Sequence, residues 1–182
     1  AATDIANTSY IKADVRFLRG MIVHHEQAIL MSNLVDARTN NKTIVDLAKR
    51  IDVSQEDEIN FMESWLKERG EYANNMMGNH NHHKMHADMV GMASPEQLNK
   101  LRNSKSTDFD RLFLQLMIAH HDGALEMVEE LKKYPGAAYD PILNEFVSDL
   151  VNDQGVEIER MNTMAVNLSN DPRAGLTAGL FI

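Results

Sequence analysis

At 182 residues with 43% hydrophobic content, the chain is long enough for one ordinary globular domain with a real core. A formal net charge of −9 lacks the basic footprint that nucleic acid or an anionic membrane demands, and no apolar run is long enough to span a bilayer. Cysteine is absent beside twelve methionines and eight histidines, a composition compatible with an oxidising compartment where a free thiol would be a liability.

The opening "AATDIANTSY" carries neither a basic nor an apolar segment. Its small residues fit a mature start left by signal removal, so the expectation is an exported, periplasmic protein. A first helix is predicted over 9–39. At about 100° per residue, Asp14, Phe17, Leu18, Met21, His24, His25, Ala28 and Met31 share one face of it. A second helix is predicted over 42–69, with Gln55, Glu58, Ile59, Met62 and Trp65 on a common face.

A connector, 70–106, follows. Within it "MMGNHNHHKMHADMVGM", 76–92, holds four histidines and five methionines. In helical register, His82 and His86 stand at i, i+4, and Met85, Met89 and Met92 at i, i+4, i+7. His80, His82, His83, His86, Met85 and Met89 are therefore expected to form an exposed capture site, the imidazoles suiting Cu(II) and the thioethers Cu(I). Ser94-Pro95-Glu96-Gln97 supplies the cap, N1 proline and N3 glutamine of a helix start.

A third long helix is predicted over 107–133, its stripe running through Asp110, Phe113, Leu114, Met117, His120, His121, Ala124 and Met127. "YPGAAYDP", 134–141, breaks it. The fourth, 141–168, carries Gln154, Glu157, Ile158, Met161 and Met164 on one face, and a short tail, 169–182, ends the chain.

These helices form an internal repeat. A shift of 96 residues superposes the stripe of the first helix on that of the third, and a shift of 99 superposes Gln-x-x-Glu-Ile-x-x-Met at Gln55 on the same skeleton at Gln154. Each half, about 9–69 and 107–168, is a helical hairpin too small to bury its own stripe. The expected fold is all-α: a ferritin-like four-helix bundle of two repeated hairpins joined by the His/Met-rich connector, one domain over 1–182.

Four histidines on core-facing stripes are costly unless their nitrogens are satisfied. A lone histidine there is usually structural; the repetition of the pair favours a metal. Di-iron bundles use Glu-x-x-His, whereas Met21 precedes His24 and Met117 precedes His120 by one turn. Thioether with imidazole suits a soft ion, Cu(I) or its mimic Ag(I). His24, His25, His120, His121, Met21 and Met117 are the candidate core ligands. Zinc gains little from methionine, and the HExxH pattern is absent, Glu26 facing away from the stripe. Glu58 and Glu157 face the core and can either orient a ligating imidazole or serve a harder metal. Met31, Met62, Met127, Met161, Met164 and Trp65 are assigned to packing.

The repeated Met-x-x-His-His-x-x-Ala…Met and Gln-x-x-Glu-Ile-x-x-Met resemble the small ferritin-like proteins known as domain of unknown function 305, over most of 14–66 and 91–164. "FLQLMIAHHDGALEM" fits that pattern closely, while "FLRGMIVHHEQAILM" departs from it at Gln27, where glycine is usual. The likeness implies an exported bundle that binds monovalent copper or silver at consecutive histidines, carrying His24, His25, His120 and His121 over as ligands. It implies a non-enzymatic copper metallochaperone or buffer serving copper resistance and homeostasis, its partners being copper ions and copper efflux or sensor proteins. The alternatives are a bundle-core metal oxidoreductase and a structural bundle whose histidines hydrogen-bond internally.

Overall fold

The computed structural model describes residues 9–72 and 89–170. Among them are five α-helices and no strand: α1 (Lys12–Ser32), α2 (Lys42–Glu68), α3 (Pro95–Asn103), α4 (Ser106–Lys132) and α5 (Pro141–Asn170), with a 3-10 turn at Val35–Ala37. The all-α four-helix bundle expected from the repeat is the observed architecture. α1 packs along α2, α4 along α5, and the hairpins meet chiefly through α1 against α4.

The pairing is antiparallel, and it divides the interior in two. One apolar cluster joins Leu18 and Met21 of α1 to Trp65 and Leu66 of α2, Val128 of α4 and Leu143 of α5. The other joins Met31 to Ile44, Leu47, Phe113, Met117 and Met161. The start of α1 thus shares a core with the end of α4, and the reverse holds at the opposite end. Between the clusters, at the crossing of α1 and α4, lie the four histidines, each no more than 1% exposed.

Two aspartates at matching repeat positions tie the hairpins together. Asp14 accepts from the backbone N–H of Ile11 at 2.9 Å and of Ala138 at 2.8 Å, reaching the turn of the other hairpin. Ala138 sits at φ 49°, a left-handed conformation which that bond helps to hold. Asp110 accepts from the Asn41 side-chain amide at 2.9 Å, and Asn41 is the N-cap of α2. A third tie is the buried pair of Arg69 and Asp140 at 2.6 Å; Asp140 also accepts from the backbone N–H groups of Ile142 and Leu143 at the start of α5.

Helix bounds differ most from the sequence reading at the end of α1 and in the connector. α1 stops at Ser32 rather than 39, and the 3-10 turn carries Val35 inward to 1% exposure. Met31 and Val35 keep the helical spacing, so periodicity alone does not separate a helix from a helix followed by a tighter turn. The connector also contains α3, started by the expected capping box: the Ser94 hydroxyl accepts from Gln97 N–H at 3.2 Å while the Gln97 side-chain oxygen Oε1 accepts from Ser94 N–H at 2.7 Å.

Candidate metal centre

His24 and His120 are brought face to face, one from each half, with ring centroids 3.8 Å apart and planes inclined by 35°. His120 Nε2 donates to the main-chain carbonyl of His24 at 2.7 Å, and His24 Nε2 donates to the carbonyl of Val90 at 3.1 Å. A carbonyl only accepts, so both rings carry their proton on Nε2. Both Nδ1 atoms are buried without a hydrogen-bond partner. Each therefore presents a lone pair inside the bundle, the unsatisfied buried acceptor that a bound ion would satisfy.

The outer members of the pairs lean on carboxyl groups. His25 Nε2 is in short contact with Glu58 of α2, and His121 Nε2 lies 2.6 Å from Glu157 of α5. These repeat the second-partner arrangement that fixes a metal-binding imidazole. The halves then diverge. His25 Nδ1 has no hydrogen-bond partner, whereas His121 Nδ1 lies 3.0 Å from the Met117 carbonyl, so both nitrogens of His121 are engaged.

Burial sets the charge state. Loss of water lowers His24 to about 4, helped by neighbouring His25, and lowers His25 to about 3, helped by His121. His120 is held well below the ordinary value, by burial first and by the facing His24 next. Burial pushes Glu58 up to about 8, with Asp153 and Glu157 adding to the rise. At neutral pH both partners of the His25–Glu58 contact are thus uncharged. Were an ion held on His25 Nδ1, the ring proton would sit on Nε2, where Glu58 would accept it and fix the orientation of the ring.

Met21 and Met117 are fully buried, but in opposite apolar clusters on either side of the histidine layer. The bundle does not gather them at one point. Met89 lies over Gly20 together with Met127: a Cβ at Gly20 would sit 3.7 Å from the Met89 sulfur and 3.5 Å from the Met127 methyl. His80, His82, His83, His86 and Met85 lie outside the described residues. Among the described residues, no three or more histidine, aspartate or glutamate side chains gather as a metal-holding group. The donor set suits a soft ion of low coordination number better than a hard ion needing many oxygens.

Three features have roles that the sequence reading did not assign. Gln55 and Gln154, one turn before Glu58 and Glu157, are fully buried, Gln55 with neither amide atom partnered and Gln154 with its oxygen unpartnered. Their place in the repeated skeleton was the available signal. The Val90 carbonyl is invisible to any reading of side chains. Gln27, a departure from the repeat, pairs with the backbone of Ala93 through bonds of 3.0 and 2.7 Å.

Comparison with known proteins agrees with this architecture. The family model described as "Domain of unknown function (DUF305)" matches residues 14–165. A DUF305 protein from Streptomyces coelicolor, described as a candidate secreted protein, is 26% identical with a TM-score of 0.72, covering 86% of this chain and 92% of its own. A DUF305 fragment from Deinococcus radiodurans is 27% identical with a TM-score of 0.73, over 87% and 98%. CopM in its Cu(I)-bound form is 26% identical with a TM-score of 0.62, over 85% and 96%; its Cu(II)-bound form gives 28% and 0.64 over the same shares. An uncharacterized protein of Acanthamoeba polyphaga mimivirus is 48% identical over 56 residues, which is 31% of this chain and 37% of that relative's length. Among the described residues no helix is long and apolar enough to cross a membrane.

Proposed function

The chain belongs to the family described as domain of unknown function (DUF305), and from that premise we propose that it carries copper, holding Cu(I) between the two halves of the bundle. The observation behind this reading is the pair of partnerless Nδ1 atoms on His24 and His120. Likeness to CopM, solved with Cu(I) and with Cu(II), supports a copper-binding role. His25 extends the donor set, with Glu58 orienting its ring. Met21 and Met117 flank the layer as soft neighbours, and Ag(I) serves as a mimic of Cu(I). The His/Met-rich segment at 76–92 is a weaker capture site for either copper state.

The role is that of a metallochaperone or buffer supporting copper tolerance outside the cytoplasm, delivering to efflux or sensor proteins. It is not an enzyme in this reading: His24 and His120 are 0% and 1% exposed, whereas an oxidase of a molecular substrate needs an open face at its metal.

The test is an anaerobic titration of reduced protein with Cu(I) against a colorimetric chelator. Wild type should retain one equivalent against a chelator that strips the double variant His24→Ala/His120→Ala. Equal retention by both proteins would end the assignment of this pair.

A further inference from the structure

The repeat is broken where the segment after Met89 crosses the bundle. Residues Val90–Ala93 form a strap over the junction of α1 and α4, leading into the Ser94 cap of α3. Three contacts fix it. Gln27 on α1 donates to the Ala93 carbonyl at 3.0 Å and accepts from the Ala93 N–H at 2.7 Å. His24, one turn earlier on the same helix, donates to the Val90 carbonyl at 3.1 Å. On α4, Gly123 and Gly91 lie backbone to backbone: a Cβ on Gly123 would run into the Val90 carbonyl and come within 2.7 Å of the Gly91 Cα. Gly91 itself takes φ 78°, which a side chain would resist.

Gln27 and Gly123 are the same position of the repeat, 96 residues apart. One strap crosses two equivalent helices, so the equivalent positions do opposite jobs. Gly123 makes room for the strap and Gln27 grips it.

We infer that Gln27 is a positioning residue for His24: by clamping Ala93 it seats the Val90 carbonyl on His24 Nε2, which fixes the tautomer that leaves Nδ1 free and closes the bundle over the His24–His120 pair. Without the Val90 carbonyl nothing among the described contacts holds the His24 proton on Nε2. The strap belongs to no helix, and of its residues only Ala93 is buried in the apolar cluster, so it can lift at the loss of that one residue's packing. An ion reaches and leaves His24 as the strap opens, and the grip of Gln27 sets how often it does.

The consequence for metal rests on the copper reading above, whereas the tautomer does not, so the experiment separates them. Gln27→Leu keeps side-chain volume and helix propensity while removing both strap bonds. Gly123→Ala pushes the strap off from the opposite helix while favouring α4 itself. In metal-free protein labelled with nitrogen-15 at histidine, wild-type His24 should show a protonated Nε2 and a bare Nδ1. Both variants should show mixed tautomers at His24, faster amide exchange at Ala93, and an unchanged His120. Cu(I)-loaded protein should then lose its ion to an excess of chelator about tenfold faster in both variants, the order of factor expected from losing the net contribution of the two strap bonds. An unaltered His24 tautomer in both variants would overturn the positioning role. Altered tautomers with unaltered release would overturn the gate and leave the positioning. Loss of Cu(I) binding in wild type, with the tautomer result intact, would count against the copper reading alone.

Discussion

The His120 ring donates through Nε2 to the His24 carbonyl at 2.7 Å while stacking on the His24 ring at 3.8 Å, so the backbone of one half orients the imidazole of the other. The relationship is not reciprocated. His24 is oriented by the Val90 carbonyl instead, so both rings rest on main-chain carbonyls, one from the facing helix and one from the connector. The two copies of the pattern meet at the pseudo-symmetry crossing, where His24 and His120 face each other. An ion there would lock α1 to α4 across the interface that holds the hairpins together.

Such a lock predicts ligand-linked stability. Reduced protein with free Cu(I) or Ag(I) at 100 times the dissociation constant should gain about 2.7 kcal/mol against unfolding. His24→Ala and His120→Ala should each abolish most of the gain. Thermal unfolding under anaerobic conditions, with and without metal, measures it. A gain that survives both substitutions would place the ion elsewhere.

The outer histidines should prove unequal. His25 keeps Nδ1 without a partner, whereas His121 has Glu157 on one nitrogen and the Met117 carbonyl on the other. His25→Ala is expected to weaken Cu(I) binding, and Glu58→Gln, which removes the group orienting His25, should do so by roughly 10- to 100-fold. His121→Ala should cost mainly stability. Chelator competition on the three variants checks this, and equal losses at His25 and His121 would contradict the asymmetry.

Much of this was legible in the sequence because duplication doubles every signal. Asp14 and Asp110, the two His-His pairs and the two Gln-x-x-Glu-Ile-x-x-Met skeletons each appear twice in equivalent places. Their shared helical face announced the bundle, and Glu58 and Glu157 do meet His25 and His121. What the stripe did not convey was crossing geometry. Met21 and Met117 sit one turn from the histidines in sequence, yet the antiparallel pairing of α1 and α4 sends them into opposite apolar clusters. The contact of Val90 with His24 spans 66 residues and uses a carbonyl, a group every residue has, so no residue type could flag it. Gln27 did flag itself, as the one departure from the pattern.

The aspartate ties make a stability prediction independent of metal. Asp14 is fully buried and accepts from two backbone N–H groups, while Asp110 is 3% exposed and accepts from one side-chain amide. Removing a charged acceptor strands each donor at about 1.5–3 kcal/mol apiece. Asp14→Ala should therefore cost about 3–6 kcal/mol and Asp110→Ala about 1.5–3 kcal/mol. Urea midpoints at constant m-value provide the comparison. A larger loss at Asp110 would mean that the Asn41 cap, rather than the turn at Ala138, carries the tie.

Proton uptake on unfolding sets the pH dependence of the metal-free protein. His24 and His25 are lowered from 6.5 to about 4 and about 3, and His120 lies well below 6.5, all chiefly through burial. Below pH 6.5 the unfolded chain binds protons that the folded chain refuses, so stability falls as pH falls. Glu58 works the other way. Raised from 4.5 to about 8, it keeps a proton in the fold that the unfolded chain has released, so its contribution is complete below pH 4.5 and is lost as pH rises through 8. Three imidazoles outweigh one carboxyl on the acid side, and only the carboxyl acts on the alkaline side. Metal-free stability should peak near pH 6.5, dropping steeply toward pH 4.5 and gently toward pH 8. Glu58→Gln should flatten the alkaline slope and steepen the acid one, where the carboxyl no longer offsets part of the histidine effect. Urea unfolding from pH 4.5 to 8.5 measures both limbs. A flat acid limb would mean the buried rings accept protons in the folded state, and an alkaline slope that persists in Glu58→Gln would assign it to another group.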